Sequence, residues 1–198
     1  HNGSRGLGDV YKRQMYKRAI NILDSNSFFL LGGRGTGKTT LLREMFEGRE
    51  VLWIDLLQPR EEELYQVNPD ALVENIAALP KRPEWVVIDE IQRAPKLLDL
   101  VHYLIEHPEN KAAPIKFALT GSSARKLKRG AANLLAGRAF TYNLFPLTYQ
   151  ELGSDFDLVK ALAWGTLPFV VNVTGDEERK KFLESYTTTY LKEEIVQE

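Results

Sequence analysis

Phe28-Phe29-Leu30-Leu31-Gly32-Gly33-Arg34-Gly35-Thr36-Gly37-Lys38-Thr39-Thr40-Leu41-Leu42 is the stretch on which the fold turns. Its apolar residues read as a buried strand, its glycines as a loop, and the residues after Lys38 as the start of a helix. From Gly32 to Thr39 the spacing is G-x-x-x-x-G-K-[ST], that of a phosphate-binding P-loop. Backbone N–H groups close around a phosphate only where no Cβ intervenes, which predicts tight bends at Gly32, Gly35 and Gly37. The helix that follows turns its positive end towards the same anion. The expected cradle is Gly33, Arg34, Gly35, Thr36, Gly37, Lys38, Thr39 and Thr40. Lys38 reaches the β and γ phosphates in this reading, and the Thr39 hydroxyl ligates Mg²⁺.

A second apolar strand of the same kind, Trp85-Val86-Val87-Ile88, ends in Asp89-Glu90 about fifty residues later. In isolation an Asp-Glu pair at a strand end is an ordinary solvated turn. Behind a P-loop it acquires a function: Asp89 to hold the Mg²⁺ shell, Glu90 to polarise the water that attacks the γ-phosphate. The strand after it, Ile115–Thr120, runs into Gly121-Ser122-Ser123. If that strand inserts between the first and third, then Thr120, Ser122 or Ser123 comes to the γ-phosphate or its water. A helix N-cap is the competing role for the serines.

The composition fits this reading without adding to it. The chain has 198 residues, 43% hydrophobic and 27% charged, enough for one ordinary globular domain. A formal net charge of −1 gives no global bias towards nucleic acid or an anionic membrane. With no cysteine, disulfides and thiolate metal sites are excluded and an extracellular location gains no support. Apolar runs fall far short of the roughly 18 residues of a membrane span. The expected location is cytoplasmic, with no membrane partner.

Residues 1–14, glycine-containing and without periodicity, are expected to be a non-native or disordered leader before Met15. The core is expected over 15–150 and a helical lid or linker over 151–198. Ala19, Ile20, Ile22 and Leu23 predict a short amphipathic helix between Tyr16 and Asp24. Further strands are expected at Val51–Leu56 and Ala139–Leu144. Helices are expected from about Lys38 to Glu47, between Pro59 and Leu79 with a break at Asn68-Pro69, from Leu97 to His107, and after strand four as far as Leu135. Beyond the fifth strand, Tyr149–Leu152, Leu158–Ala163 and Glu177–Val196 read as helical. Strands apolar on both faces and alternating with helices imply a parallel sheet covered on two sides.

Arg138, following Gly137 just before the fifth strand, stands where oligomeric ATPases face a neighbouring subunit. It is a candidate to stabilise γ-phosphate charge in trans within a homo-oligomer, against the plainer reading of a surface turn. Arg125, Lys126, Lys128 and Arg129 could meet nucleic acid phosphates, but no stacking aromatics flank them, which favours a solvated helix face. His102 and His107 have no metal-like companions and read as structural.

The motifs resemble a known group, the AAA-type P-loop ATPases of bacteria and archaea that carry an uncharacterised C-terminal domain. The carrying runs are Gly-Arg-Gly-Thr-Gly-Lys-Thr-Thr (33–40), Val-Ile-Asp-Glu-Ile-Gln-Arg-Ala-Pro (87–95), Leu-Thr-Gly-Ser-Ser (119–123), Leu-Ala-Gly-Arg (135–138) and Phe-Pro-Leu-Thr-Tyr-Gln-Glu-Leu (145–152). Gly165-Thr166-Leu167-Pro168 and Tyr190-Leu191-Lys192-Glu193-Glu194-Ile195 look like the group's lid segment. The resemblance implies an α/β, three-layer P-loop NTPase fold: a parallel five-stranded sheet in the order 5-1-4-3-2, helices on both faces, and a helical C-terminal lid. It also implies ATP with Mg²⁺, and hydrolysis coupled to movement of a partner or of a C-terminal domain. Members of the group continue further, so this chain is expected to be truncated. Arg179 is the lid arginine left to consider as a nucleotide sensor.

In the leading expectation, Lys38, Glu90, Arg138 and Ser122 carry catalysis, and Thr39 with Asp89 holds Mg²⁺. A small-molecule kinase would need an acceptor pocket, and a GTPase would need an Asn-Lys-x-Asp motif that is missing. A nucleotide-gated binding module with negligible turnover, DNA-associated in one version, is the non-enzyme alternative.

Overall fold

Ser27–Leu31 (β1) sends alternate side chains to opposite faces, and both faces are covered. Phe29 and Leu31 enter one buried cluster with Ile54, Val86, Ile88, Phe117 and Leu119; Phe28 and Leu30 enter a second with Trp85, Val87, Ala118 and Leu42. The computed structural model describes residues 16–107, 114–122, 135 and 137–190.

Val51–Asp55 (β2), Trp85–Asp89 (β3), Lys116–Gly121 (β4) and Ala139–Asn143 (β5) complete a five-stranded sheet, every pair in it parallel. The order β2-β3-β4-β1-β5 is the one expected. Lys38–Met45 (α1) packs Leu42 into the second cluster. Pro59–Val67 (α2), Ala71–Ala78 (α3) and Leu97–Glu106 (α4) supply Tyr65, Leu72, Ile76, Leu97, Leu98 and Val101 to the first. The break between α2 and α3 falls at Asn68–Asp70, where Pro69 has no N–H to carry the α2 ladder on. The consequence for function is positional. In a parallel sheet every strand's C-terminal end lies on one edge, so the ends of β1, β3 and β4 meet there.

By contacts the chain divides into two units, 20–145 and a smaller one of 16–19 with 146–190. The smaller unit contains Tyr149–Leu152 (α5), Leu158–Trp164 (α6), Pro168–Asn172 (α7) and Asp176–Tyr186 (α8). A capping box links Thr148 and Glu151 at the start of α5, and the Asp157 side chain caps α6 by accepting from Lys160 N at 3.1 Å. Phe169 of α7 stacks on Phe182 of α8 at 4.2 Å.

Two expectations change. Residues 16–23 form no helix. Ile20 and Ile22 both pack on the second cluster, an every-other-residue pattern that suits extended chain. The Leu23 N–H is taken by the Tyr142 hydroxyl at 3.1 Å and not by a helical carbonyl. The helix α7 has no counterpart in the sequence reading, being too short to show a period. The expected helix after β4, with the basic run Arg125 to Arg129 and Ser123, lies outside the described residues. No helix among the described residues is long and apolar enough to cross a membrane.

Candidate active site

Gly32 ends β1 under a steric condition: a Cβ there would stand 2.1 Å from the Leu144 carbonyl oxygen. Gly37 caps α1 with φ 94°, a left-handed conformation that other residues adopt at a cost. Between them the Thr36 hydroxyl donates to Gly33 O at 2.9 Å and closes the loop on itself. Thr36 and Lys38 are buried, while Thr40 points to solvent on α1. Lys38 Nζ reaches back over the loop to Gly32 O at 2.9 Å and Gly33 O at 3.2 Å.

Because β4 lies between β1 and β3, the end of β4 supports the acids from the side opposite β2. Thr39 Oγ1 donates to Asp89 Oδ2 at 2.7 Å, and Thr120 Oγ1 donates to Asp89 Oδ1. The Thr120 hydroxyl also accepts from Glu90 N at 2.9 Å. Glu90 itself has φ 60°, and it is the non-glycine residue with positive φ among the described residues. That conformation costs about 1–3 kcal/mol and turns the side chain out of the strand direction towards the loop. Glu90 Oε2 accepts from Ser122 Oγ at 2.7 Å, from Ser122 N at 3.3 Å, and from Gln92 Nε2. Glu90 Oε1 stands 3.8 Å from Lys38 Nζ.

Electrostatics follow from this packing. Burial lowers the Lys38 pKa from the usual lysine value, although Glu90 and Asp89 pull the other way. Burial alone would raise Glu90. Hydrogen bonds from Ser122 and Gln92, with the Lys38 charge, outweigh it and hold the carboxyl below the ordinary glutamate value. The site thus pairs a buried cation with an ionised acid beside a phosphate-shaped loop.

Lys38, Thr39, Asp89, Glu90 and Ser122 come together. Thr120 does not suit the phosphate contact considered for it. Its side chain is fully buried, and its hydroxyl is engaged by both Asp89 and Glu90. Arg138 lies at the far end of the sheet: Ala139 is in register with Ser27, so a strand's length of about 16 Å separates it from the loop after Leu31. It pairs there with Glu106 at the end of α4. Within one chain it does not meet this site. Arg179 binds Val170 O at 3.1 Å, Val173 O, and Asp176 Oδ1 at 2.7 Å, bracing the turn between α7 and α8. Gln92 is the site residue that sequence reasoning passed over; it stands inside the quoted Asp-Glu-Ile-Gln run, but nothing in a linear pattern tells that its amide folds back onto Glu90.

A glycine loop after β1, acids after β3 and a polar β4 end between them define a P-loop nucleoside triphosphatase fold. The chain belongs to the AAA domain family, whose profile matches residues 24–153. An uncharacterized protein of Mycobacterium tuberculosis, Rv2008c, is 29% identical over 170 residues, covering 85% of this chain. Mb2031c of Mycobacterium bovis matches to the same extent. The chain spans 36% of the length of either relative. Among solved structures, the Walker-type ATPase PABY2304 of Pyrococcus abyssi superposes with TM-score 0.51 and 21% identity, over 84% of this chain and 69% of that one, a likeness of fold.

Proposed function

We propose that this chain binds ATP and hydrolyses it to ADP and phosphate in a Mg²⁺-dependent reaction, driving a conformational change in a partner or a further domain. The observation that carries the reading is the meeting of two motifs fifty residues apart. Thr39 bonds Asp89 at 2.7 Å, and Lys38 faces Glu90 at 3.8 Å. A hydroxyl and a carboxylate in contact are the oxygen donors a hard divalent cation takes, so Thr39 and Asp89 would hold Mg²⁺. The ion would neutralise charge on the phosphates. The loop amides and Lys38 bind and orient the triphosphate, and Lys38 stabilises charge on its γ end. Glu90 Oε1 accepts a proton as the water oxygen attacks the γ-phosphorus and the bond to the β,γ-bridging oxygen breaks. Ser122 steadies Glu90, and would contact the γ-phosphate only by yielding that bond.

Single-turnover hydrolysis by wild type and Glu90→Gln, with nucleotide affinity measured alongside, tests this. Affinity should persist while the rate falls about 10²–10⁴-fold. Equal measurable rates would remove Glu90 from the chemistry, and negligible turnover by wild type with affinity intact would leave a nucleotide-gated binding module.

Arg138 enters the proposal as a residue acting across subunits of a homo-oligomer, where its distance from the loop of its own chain is no obstacle. Mixing Arg138→Ala with Lys38→Ala protein should then restore part of the activity that each lacks alone. No restoration at concentrations where the chains associate would assign Arg138 a structural role within its own chain.

A further inference from the structure

The two oxygens of Glu90 have different tasks. Oε2 takes all the short contacts, two from Ser122 and one from Gln92. Oε1 takes none at hydrogen-bond distance from these residues and faces Lys38 at 3.8 Å. A carboxylate anchored through one oxygen presents the other in a fixed direction, here towards the phosphate loop.

Gln92 is built to be such an anchor. It sits in the 3₁₀ turn Ile91–Arg93, and Arg93 fastens that turn to α2 through both its side chain and its carbonyl. Arg93 Nη1 pairs with Glu62 Oε2 at 2.6 Å, and Gln66 Nε2 donates to Arg93 O at 2.8 Å. The Gln92 amide is oriented without ambiguity, because only its nitrogen can donate to a carboxylate. The same nitrogen lies 3.1 Å from Ser122 Oγ, closing a triangle of Glu90, Gln92 and Ser122. Gln92 Oε1 meanwhile is buried and has no hydrogen-bond partner among the described residues. An amide that leaves its own carbonyl unmatched is not placed for its own hydrogen bonding. Its nitrogen is what the position uses.

We infer that Gln92 is a positioning residue, whose side-chain N–H holds Glu90 Oε2 on Ser122 so that Glu90 Oε1 is aimed at the phosphate loop. The inference rests on the proposed ATPase reading for its effect on rate, but its structural content stands apart from that reading. With the amide removed, Ser122 remains as a single point of attachment and the carboxylate can pivot about it. Misplacement of a reacting group by about 1 Å costs up to about 10²-fold in rate.

Gln92→Met keeps the length and volume of the side chain and deletes the donor. Four measurements on this variant decide the matter: its crystal structure, its melting temperature, its affinity for a fluorescent ATP analogue, and its steady-state ATPase kinetics. Glu90 Oε1 should turn away from Lys38 in the crystal, kcat should fall roughly tenfold, and KM and analogue affinity should stay as in wild type. A general packing defect would instead lower the melting temperature and move affinity and kcat together, which would overturn the inference. So would a Gln92→Met crystal with Glu90 unmoved, or an unchanged kcat. Should wild type itself fail to turn over ATP, the proposed function falls, while the pose of Glu90 in the variant crystal still decides whether Gln92 positions it.

Discussion

Glu90 and Glu151 are both shielded glutamates whose carboxyl pKa lies below the ordinary value because hydrogen bonds and a cation outweigh burial. The arrangement of donors separates them. Glu151 sits in regular helix, and each of its oxygens is taken: Oε1 by Arg18 Nε at 2.9 Å and Ala19 N at 2.8 Å, Oε2 by Thr148 N at 2.8 Å. Nothing is left for a reactant. Glu90 stands on left-handed backbone, with donors drawn from Ser122 just after β4 and from the turn after β3 crowding one oxygen. Its other oxygen looks at a buried ammonium 3.8 Å away. A lowered pKa alone would have ranked the two acids alike. Backbone strain and the division between anchored and presented oxygens tell the clamp from the candidate catalyst.

If this contrast is right, the support behind Glu90 should be the more sensitive of the two. Thr120→Val deletes a fully buried hydroxyl, leaving Asp89 Oδ1 without that donor and Glu90 N–H without an acceptor. Urea unfolding should register a loss of about 2–3 kcal/mol, and hydrolysis should drop with it. Thr120→Ser keeps the hydroxyl and should recover most of both. A valine variant as stable and active as wild type would show that the strand end holds its shape without this clamp.

The parts of the site that were legible in the sequence are those whose chemistry is contiguous. Gly32 to Thr39 and Val86 to Glu90 each present a strand, a turn and the reactive side chains within one short run, so spacing alone predicts their geometry. Strands apolar on both faces made a covered parallel sheet legible, whereas the strand order came from the resemblance to AAA-type ATPases that the motifs carry. What stayed hidden depends on partners distant in the chain. Gln92 and Glu90 are two residues apart, yet their contact forms on a turn that Glu62 and Gln66 of α2 hold from about thirty residues earlier in the chain. Arg179 reads as a cation available to a nucleotide, because a sequence does not display the carbonyls of Val170 and Val173 that engage it. Residues 16–23 carry apolar spacing that suits a helix and an extended chain equally. The choice is made by Tyr142 and Glu151, over a hundred residues away.

The smallest expected effect sharpens the contrast from the Glu151 side. Glu151→Gln should leave nucleotide affinity and turnover per folded molecule unchanged, and should lower stability by about 1–2 kcal/mol near neutrality through the lost ion pair and cap. The pH dependence identifies the cause. A carboxyl whose native pKa is lowered gives its full stabilisation above the unfolded value, about 4.3 for glutamate, and loses it as pH falls through the native value. The gap in stability between wild type and Glu151→Gln, followed by thermal melts, should therefore be wide at pH 7 and close on acidification below that range. A gap constant with pH would mean that glutamine disturbs the packing of 16–19 against α5, and that the charge on Glu151 contributes nothing. A gap that closes would establish one acid as a clamp by the same lowered pKa that, at Glu90, accompanies an oxygen left open to chemistry.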